Sequence, residues 1–132
     1  MERTPTVTIE DLESARIEAG SFNHEAHVYL AWLYLREYPV TAAIERFSAA
    51  LKRLTLKLGV PGKYHETITW FFMLIIAQRC ADRPSQDWPQ FKATNSDLLD
   101  WDENILHRYY SKATLDSDEA RRTFVLPDRI AA

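Results

Sequence analysis

Several residue types that mark common classes of small protein are scarce in this sequence. Its 132 residues include a single cysteine, Cys80, which excludes an internal disulfide framework and is typical of a reducing compartment. Three glycines and six prolines are too few for a turn-rich β-sandwich. The longest apolar run, residues 70–77, is much shorter than the roughly 20 residues that a membrane-spanning helix needs. These absences lead us to expect a helical protein with no membrane partner.

A dense basic run is also absent. The 16 Lys and Arg residues are outnumbered by 19 Asp and Glu, and the formal net charge is −3. Because nucleic-acid-binding proteins concentrate positive charge on one face, we expect no nucleic-acid partner. The amino terminus is polar and lacks the apolar core of a secretory signal, which favours a cytoplasmic location. The sequence leaves the oligomeric state open.

The sequence is rich in helical periodicity. Apolar residues recur at intervals of three and four, which predicts an all-α fold. We expect a single-domain helical bundle, with four main helices in the first two thirds of the chain and short helices after them. Caps and stop signals put the main helices at about 8–20, 23–38, 41–58 and 63–81. The domain is expected to span residues 1–132, with its core at about 8–128 and short flexible termini.

Two of these helices have further features. The fourth is apolar on every side over residues 70–77, which predicts a central helix enveloped by the others. The last short helix is expected to begin at a capping box formed by Asp116 and Glu119.

Three histidines are expected at one end of this bundle. The connections between the second, third and fourth helices are short, which is typical of antiparallel neighbours, so the second and fourth helices point the same way. Both begin with histidine: His24 and His27 in one, and His65 followed by Glu66 in the other. Residues three apart lie about 60° apart around a helix, so His24 and His27 share a face.

This histidine end predicts a metal site. Neutral imidazole binds zinc, iron, nickel and copper, and a catalytic zinc usually has three protein ligands and one open position. His24, His27 and His65 meet that count, and so would two histidines with Glu66. In the leading form the three histidines are ligands or proton carriers, Glu66 is the general base and Tyr64 is a second proton carrier. The leading hypothesis is a small metal-dependent or acid–base enzyme, and no nucleotide cofactor is indicated.

The expected substrate is a small polar or anionic molecule. Lys63 and Arg53 carry positive charge towards the same end, and Trp32 lies within two turns of His27. These three residues are the candidates for binding it.

Two other interpretations stay open. Histidine and glutamate at helix starts also cap free N–H groups or join structural networks, and the protein would then be a non-catalytic helical binding or interaction module. Clustered histidines can also form a pH-responsive site, since they titrate near neutrality.

Several strings in the sequence resemble a family of small bacterial proteins of unknown function. The most distinctive are Phe22-Asn23-His24-x-x-His27 and residues 63–69, KYHETIT. The resemblance runs from about Phe22 to Asp128. It implies a bacterial, stand-alone domain and brings no activity with it.

Overall fold

All the regular secondary structure in the computed structural model, which describes residues 4–129, is helical. Helices α2, α3 and α4 are long and form the centre, and the remaining α-helices of the described part of the chain are short. The fold prediction, an all-α helical bundle, is therefore confirmed. The described α-helices are α1 Ile9–Glu13, α2 His24–Glu37, α3 Val40–Lys57, α4 Glu66–Asp82, α5 Trp88–Thr94, α6 Ser96–Leu99, α7 Leu106–Tyr109, α8 Lys112–Leu115 and α9 Asp118–Arg122.

The first helix starts as expected and ends early. Thr8 and Asp11 form a reciprocal capping box at its start. The helix ends at Glu13 instead of about Gly20 because Ala15 has a φ of 53°, in the left-handed region, and turns the chain away. A short 3₁₀ helix, Ala19–Ser21, then leads towards α2.

Helices α2 and α3 form an antiparallel pair that buries aromatic and aliphatic residues. Asn23 caps α2, its side chain accepting from the backbone N–H of Ala26 at 2.9 Å. Tyr34 of α2 and Phe47 of α3 are both fully buried, with ring centroids 5.3 Å apart. This contact lies in the main hydrophobic core.

Helix α4 is central but is not covered on every side. It packs against α2, α3 and α9, and Phe72 and Met73 are buried in the core. However, Leu74 is 41% exposed, so the expectation of an enveloped helix is corrected. Helix α4 also begins at Glu66, whereas Lys63 belongs to a 3₁₀ turn, Pro61–Lys63.

The carboxy-terminal third lies against the long helices through polar side chains. Thr67 of α4 donates to the carbonyl of Thr123 at 2.7 Å and accepts from the N–H of Val125 at 3.1 Å. Ser117, and not the predicted Asp116, caps α9 by accepting from Ala120.

Two expectations concern the ends of the chain and the membrane. The predicted flexible termini fall on residues 1–3 and 130–132, which lie outside the described residues. Within residues 4–129, none of the helices has the length and apolar character needed to span a bilayer.

Candidate ligand site

A cavity of about 500 Å³ opens where the end of α3 meets the starts of α2 and α4. We call it the main cavity. Its walls are mostly aliphatic and aromatic, and this volume lies within the range of small-molecule sites. The residues that line it are Ala19, Phe22, His27, Leu51, Leu54, Thr55, Leu58, Val60, Gly62, Lys63, Tyr64, His65, Ile68, Thr69, Phe72, Trp101 and Arg121.

His27 brings a polar atom into this apolar wall. Its ring lies among aromatic neighbours, with centroid distances of 5.7 Å to Phe22, 5.3 Å to Phe47 and 6.2 Å to Phe72. The Nε2 atom is buried and has no hydrogen-bond partner in the part of the chain that the structure describes. Burial, with a smaller effect from the nearby His24, lowers the pKa of His27 to about 4. The imidazole is therefore neutral at pH 7.

His24 supports the neighbouring loop. Its Nε2 lies 2.8 Å from the carbonyl oxygen of Leu98, so this nitrogen carries the hydrogen and donates. The ring also packs against Phe72 and against Trp101, with centroids 5.4 and 4.8 Å away. Burial lowers the pKa of His24, although the bond to Leu98 opposes the shift. His24 thus ties α6 and the segment after it to α2.

His65 is the N-cap of α4. Its Nδ1 accepts from the backbone N–H of Ile68 at 3.2 Å, and its Nε2 lies 2.7 Å from the carbonyl oxygen of Leu115. The first bond requires a lone pair on Nδ1 and the second a hydrogen on Nε2, so both ring nitrogens are engaged. Burial lowers the pKa of His65, which favours this neutral form.

The predicted ligand set does not come together as a three-membered group. His24 and His27 are neighbours, with ring centroids 6.3 Å apart, and His65 lines the main cavity with both nitrogens used elsewhere. Among residues 4–129, no three His, Cys, Asp or Glu side chains are arranged to hold a metal ion.

Zinc titration tests the predicted ligand set. His24 could coordinate a metal through Nδ1 and keep its bond to Leu98, but coordination by His65 would break either the cap of α4 or the bond to Leu115. We therefore expect Zn²⁺ at about 100 μM to leave the midpoint of thermal unfolding unchanged, whereas a metal site at one hundred times its Kd gains about 2.7 kcal/mol. A rise of about 5 °C or more that is lost in His65→Asn would contradict this expectation and support the metal site.

Tyr64 and Glu66, the predicted proton carriers, contact each other directly. The Tyr64 hydroxyl donates to Glu66 Oε1, and Lys52 Nζ lies 5.2 Å from the centroid of the Tyr64 ring. Burial, together with the bond to Glu66, raises the pKa of the Tyr64 hydroxyl. Both side chains line a second hollow of about 550 Å³, beside Arg121 and Arg122. Tyr64 also lines the main cavity, as do Thr55, Gly62 and Arg121, so the two spaces share part of their walls.

The three predicted substrate-binding residues are dispersed. Lys63 lines the main cavity, whereas Trp32 and Arg53 do not. Trp32 is buried against Trp88, with ring centroids 5.5 Å apart. The Arg53 guanidinium lies against α1, with Nη2 3.4 Å from the carbonyl oxygen of Glu13. Of the three, only Lys63 is positioned to contact a molecule in the cavity.

Arg121 and Trp101 are among the site residues that the sequence prediction did not include. Arg121 of α9 lines the main cavity and donates from Nη1 to the carbonyl oxygen of Gly62 at 2.9 Å. Trp101 follows α6, contacts His24 and is 54% exposed. The sequence signal for Trp101 was its position between Asp100 and Asp102. Aspartate is mostly exposed, so a tryptophan between two of them is expected to be exposed as well.

Comparisons of the chain with protein-family models, with curated proteins and with solved structures return no match. The resemblance to small bacterial proteins therefore stays a prediction of the sequence, and the function is argued from the site alone.

Proposed function

We propose that this protein binds a small, largely apolar molecule in the main cavity, with one polar group of that molecule hydrogen-bonded to His27. The observation that carries the proposal is the buried Nε2 of His27, which has no partner among the described residues, on a residue that lines a cavity of about 500 Å³. A buried polar atom without a partner costs about 1–3 kcal/mol, and a ligand that supplies the partner recovers that cost.

The chemistry of the walls supports this class of ligand. Leu51, Leu54, Ile68 and Phe72 provide apolar contact, and burial of an apolar group is favourable by roughly 25 cal/mol per Å². The neutral imidazole of His27 is able to donate or accept one hydrogen bond. A hydroxyl group on the ligand can pair with Nε2 in either tautomer, whereas a carbonyl group can pair only with Nε2–H. A metal-dependent or acid–base reaction and a cytoplasmic location stay predictions of the sequence.

Binding of p-cresol, compared with toluene, tests the proposal. The two probes have similar size, and only p-cresol carries a hydroxyl for His27. We expect p-cresol to bind the wild-type protein about fivefold more tightly, since a hydrogen bond contributes about 1 kcal/mol. The His27→Phe variant is expected to bind toluene but to show no preference for p-cresol. Calorimetry or ligand-observed NMR measures both affinities.

A blocked cavity provides the control for location. Ala19→Trp places an indole at the cavity wall and is expected to lower the affinity for both probes at least tenfold. Ala113→Trp makes the same change at an exposed position of α8 that lines no cavity described here, and it is expected to bind like the wild type. Absence of p-cresol binding to the wild type, or equal binding by the two tryptophan variants, would contradict the proposal.

A further inference from the structure

Four residues line both the main cavity and a third space of about 450 Å³ beside α2. Within residues 4–129, the two spaces share Phe22, His27, Lys63 and Trp101. Three of them are ring systems and the fourth is a cation. We call these four the mouth of the cavity, and its composition indicates what kind of molecule passes through it.

Trp101 gives the mouth an exposed aromatic surface. Its turn is fixed by Asp100, whose Oδ1 accepts from the backbone N–H groups of Asp102 and Glu103 at 3.0 and 3.1 Å. The ring contacts His24 at a centroid distance of 4.8 Å, yet the residue remains 54% exposed. An indole held in place from one side offers its remaining surface to a planar ligand, because aromatic rings gain from stacked and edge-to-face contacts.

Lys63 determines the sign of charge that the mouth favours. It is exposed on the 3₁₀ turn before α4, and no ion pair engages it within the described residues. The acidic residues of the Trp101 turn line neither space. Aromatic surfaces also attract cations, but an ammonium group beside them repels a cationic ligand. An anionic group is therefore the better match.

We infer that the ligand is a planar aromatic carboxylate, with its ring against Trp101 and Phe22 at the mouth and its carboxylate near Lys63. This inference rests on the proposed function, because it names the class of molecule that the main cavity takes. It assigns specificity to Trp101 for the ring and to Lys63 for the charge.

The test compares 2-naphthoate with decahydro-2-naphthoate, a saturated acid of the same carbon skeleton. Stacking contributes about 1 kcal/mol beyond burial, so we expect 2-naphthoate to bind five- to tenfold more tightly by calorimetry. Trp101→Leu is expected to remove that preference, and Trp101→Phe to retain most of it. In protein labelled with 5-fluorotryptophan, the ¹⁹F resonance that Trp101→Phe removes is expected to shift on addition of 2-naphthoate.

The charge is tested separately. Lys63→Gln is expected to lower the affinity for 2-naphthoate about threefold, because exposed charge pairs contribute less than about 1 kcal/mol. The affinity for the neutral 2-naphthalenemethanol is expected to stay unchanged. Arg83→Gln removes an equal charge at an exposed position away from the mouth. This variant protein is expected to bind 2-naphthoate with the wild-type affinity.

The outcomes separate this inference from the proposed function. If p-cresol binds as expected but the saturated acid binds as tightly as 2-naphthoate, the aromatic specificity is overturned and the binding site stands. If Lys63→Gln and Arg83→Gln behave alike, the assignment of the carboxylate to Lys63 is overturned. If neither p-cresol nor 2-naphthoate binds, the proposed function itself fails.

Discussion

Lowering the pH from 7 to 4.5 is expected to reduce the free energy of unfolding by about 2 to 3 kcal/mol through His27 alone. Burial lowers the pKa of this histidine from 6.5 to about 4. Between these two values the unfolded chain binds a proton that the folded protein excludes, so stability falls as the pH falls. Each unit of pKa difference corresponds to about 1.4 kcal/mol. His24 and His65 act in the same direction, because their pKa values are also lowered by burial.

Urea denaturation at pH 7 and pH 4.5 measures this loss. His27→Phe is expected to lose about 2 kcal/mol less than the wild type over this range. At pH 7 the variant is expected to be up to about 1 kcal/mol more stable, since the unpartnered nitrogen is gone. His107→Phe makes the same change at an exposed histidine and is expected to keep the wild-type pH dependence. Equal losses in His27→Phe and in the wild type would show that His27 is not buried in its neutral form.

The fold was predictable where its signals are local. Thr8 and Asn23 are favoured cap residues, and each caps the helix that the sequence predicted. The wrong predictions concern helix ends that tertiary packing determines. Ala15 adopts a left-handed conformation that a non-glycine residue rarely takes, and it ends α1 early. Histidine is not a favoured N-cap residue, so nothing in the sequence indicated that His65 caps α4. The predicted helix therefore began at Lys63, whereas α4 begins at Glu66.

The site was predictable in part, because helix direction follows from loop length but side-chain partners do not. His27, Lys63 and His65 do line one cavity. The bonds from His24 to Leu98 and from His65 to Leu115 join residues 74 and 50 positions apart in the chain, and no pattern along the sequence indicates them. Those bonds engage the Nε2 atoms of two residues that the sequence predicted as metal ligands. The position of Trp101 at the mouth likewise depends on a long-range contact, that of its ring with His24.

His65→Ala is expected to reduce the free energy of unfolding by about 2 to 3 kcal/mol. The substitution removes the N-cap of α4, and a cap contributes about 1 kcal/mol. It also leaves the carbonyl oxygen of Leu115 without its donor inside the fold, which costs a further 1 to 2 kcal/mol. Urea denaturation at pH 7.5, above the pKa of His65 in both the folded and the unfolded state, measures the sum without the effect of His65 protonation.

Two matched variants divide this sum between the cap and the long-range bond. His65→Asn retains a side chain that caps well but is too short to reach Leu115, so we expect it to recover about half of the loss. Asn23→Ala removes the equivalent cap of α2 and is expected to cost about 1 kcal/mol, because the Asn23 side chain makes no second bond within residues 4–129. If His65→Ala loses no more than Asn23→Ala, the bond to Leu115 contributes nothing, and the Nε2 atom of His65 is then available to a ligand in the main cavity.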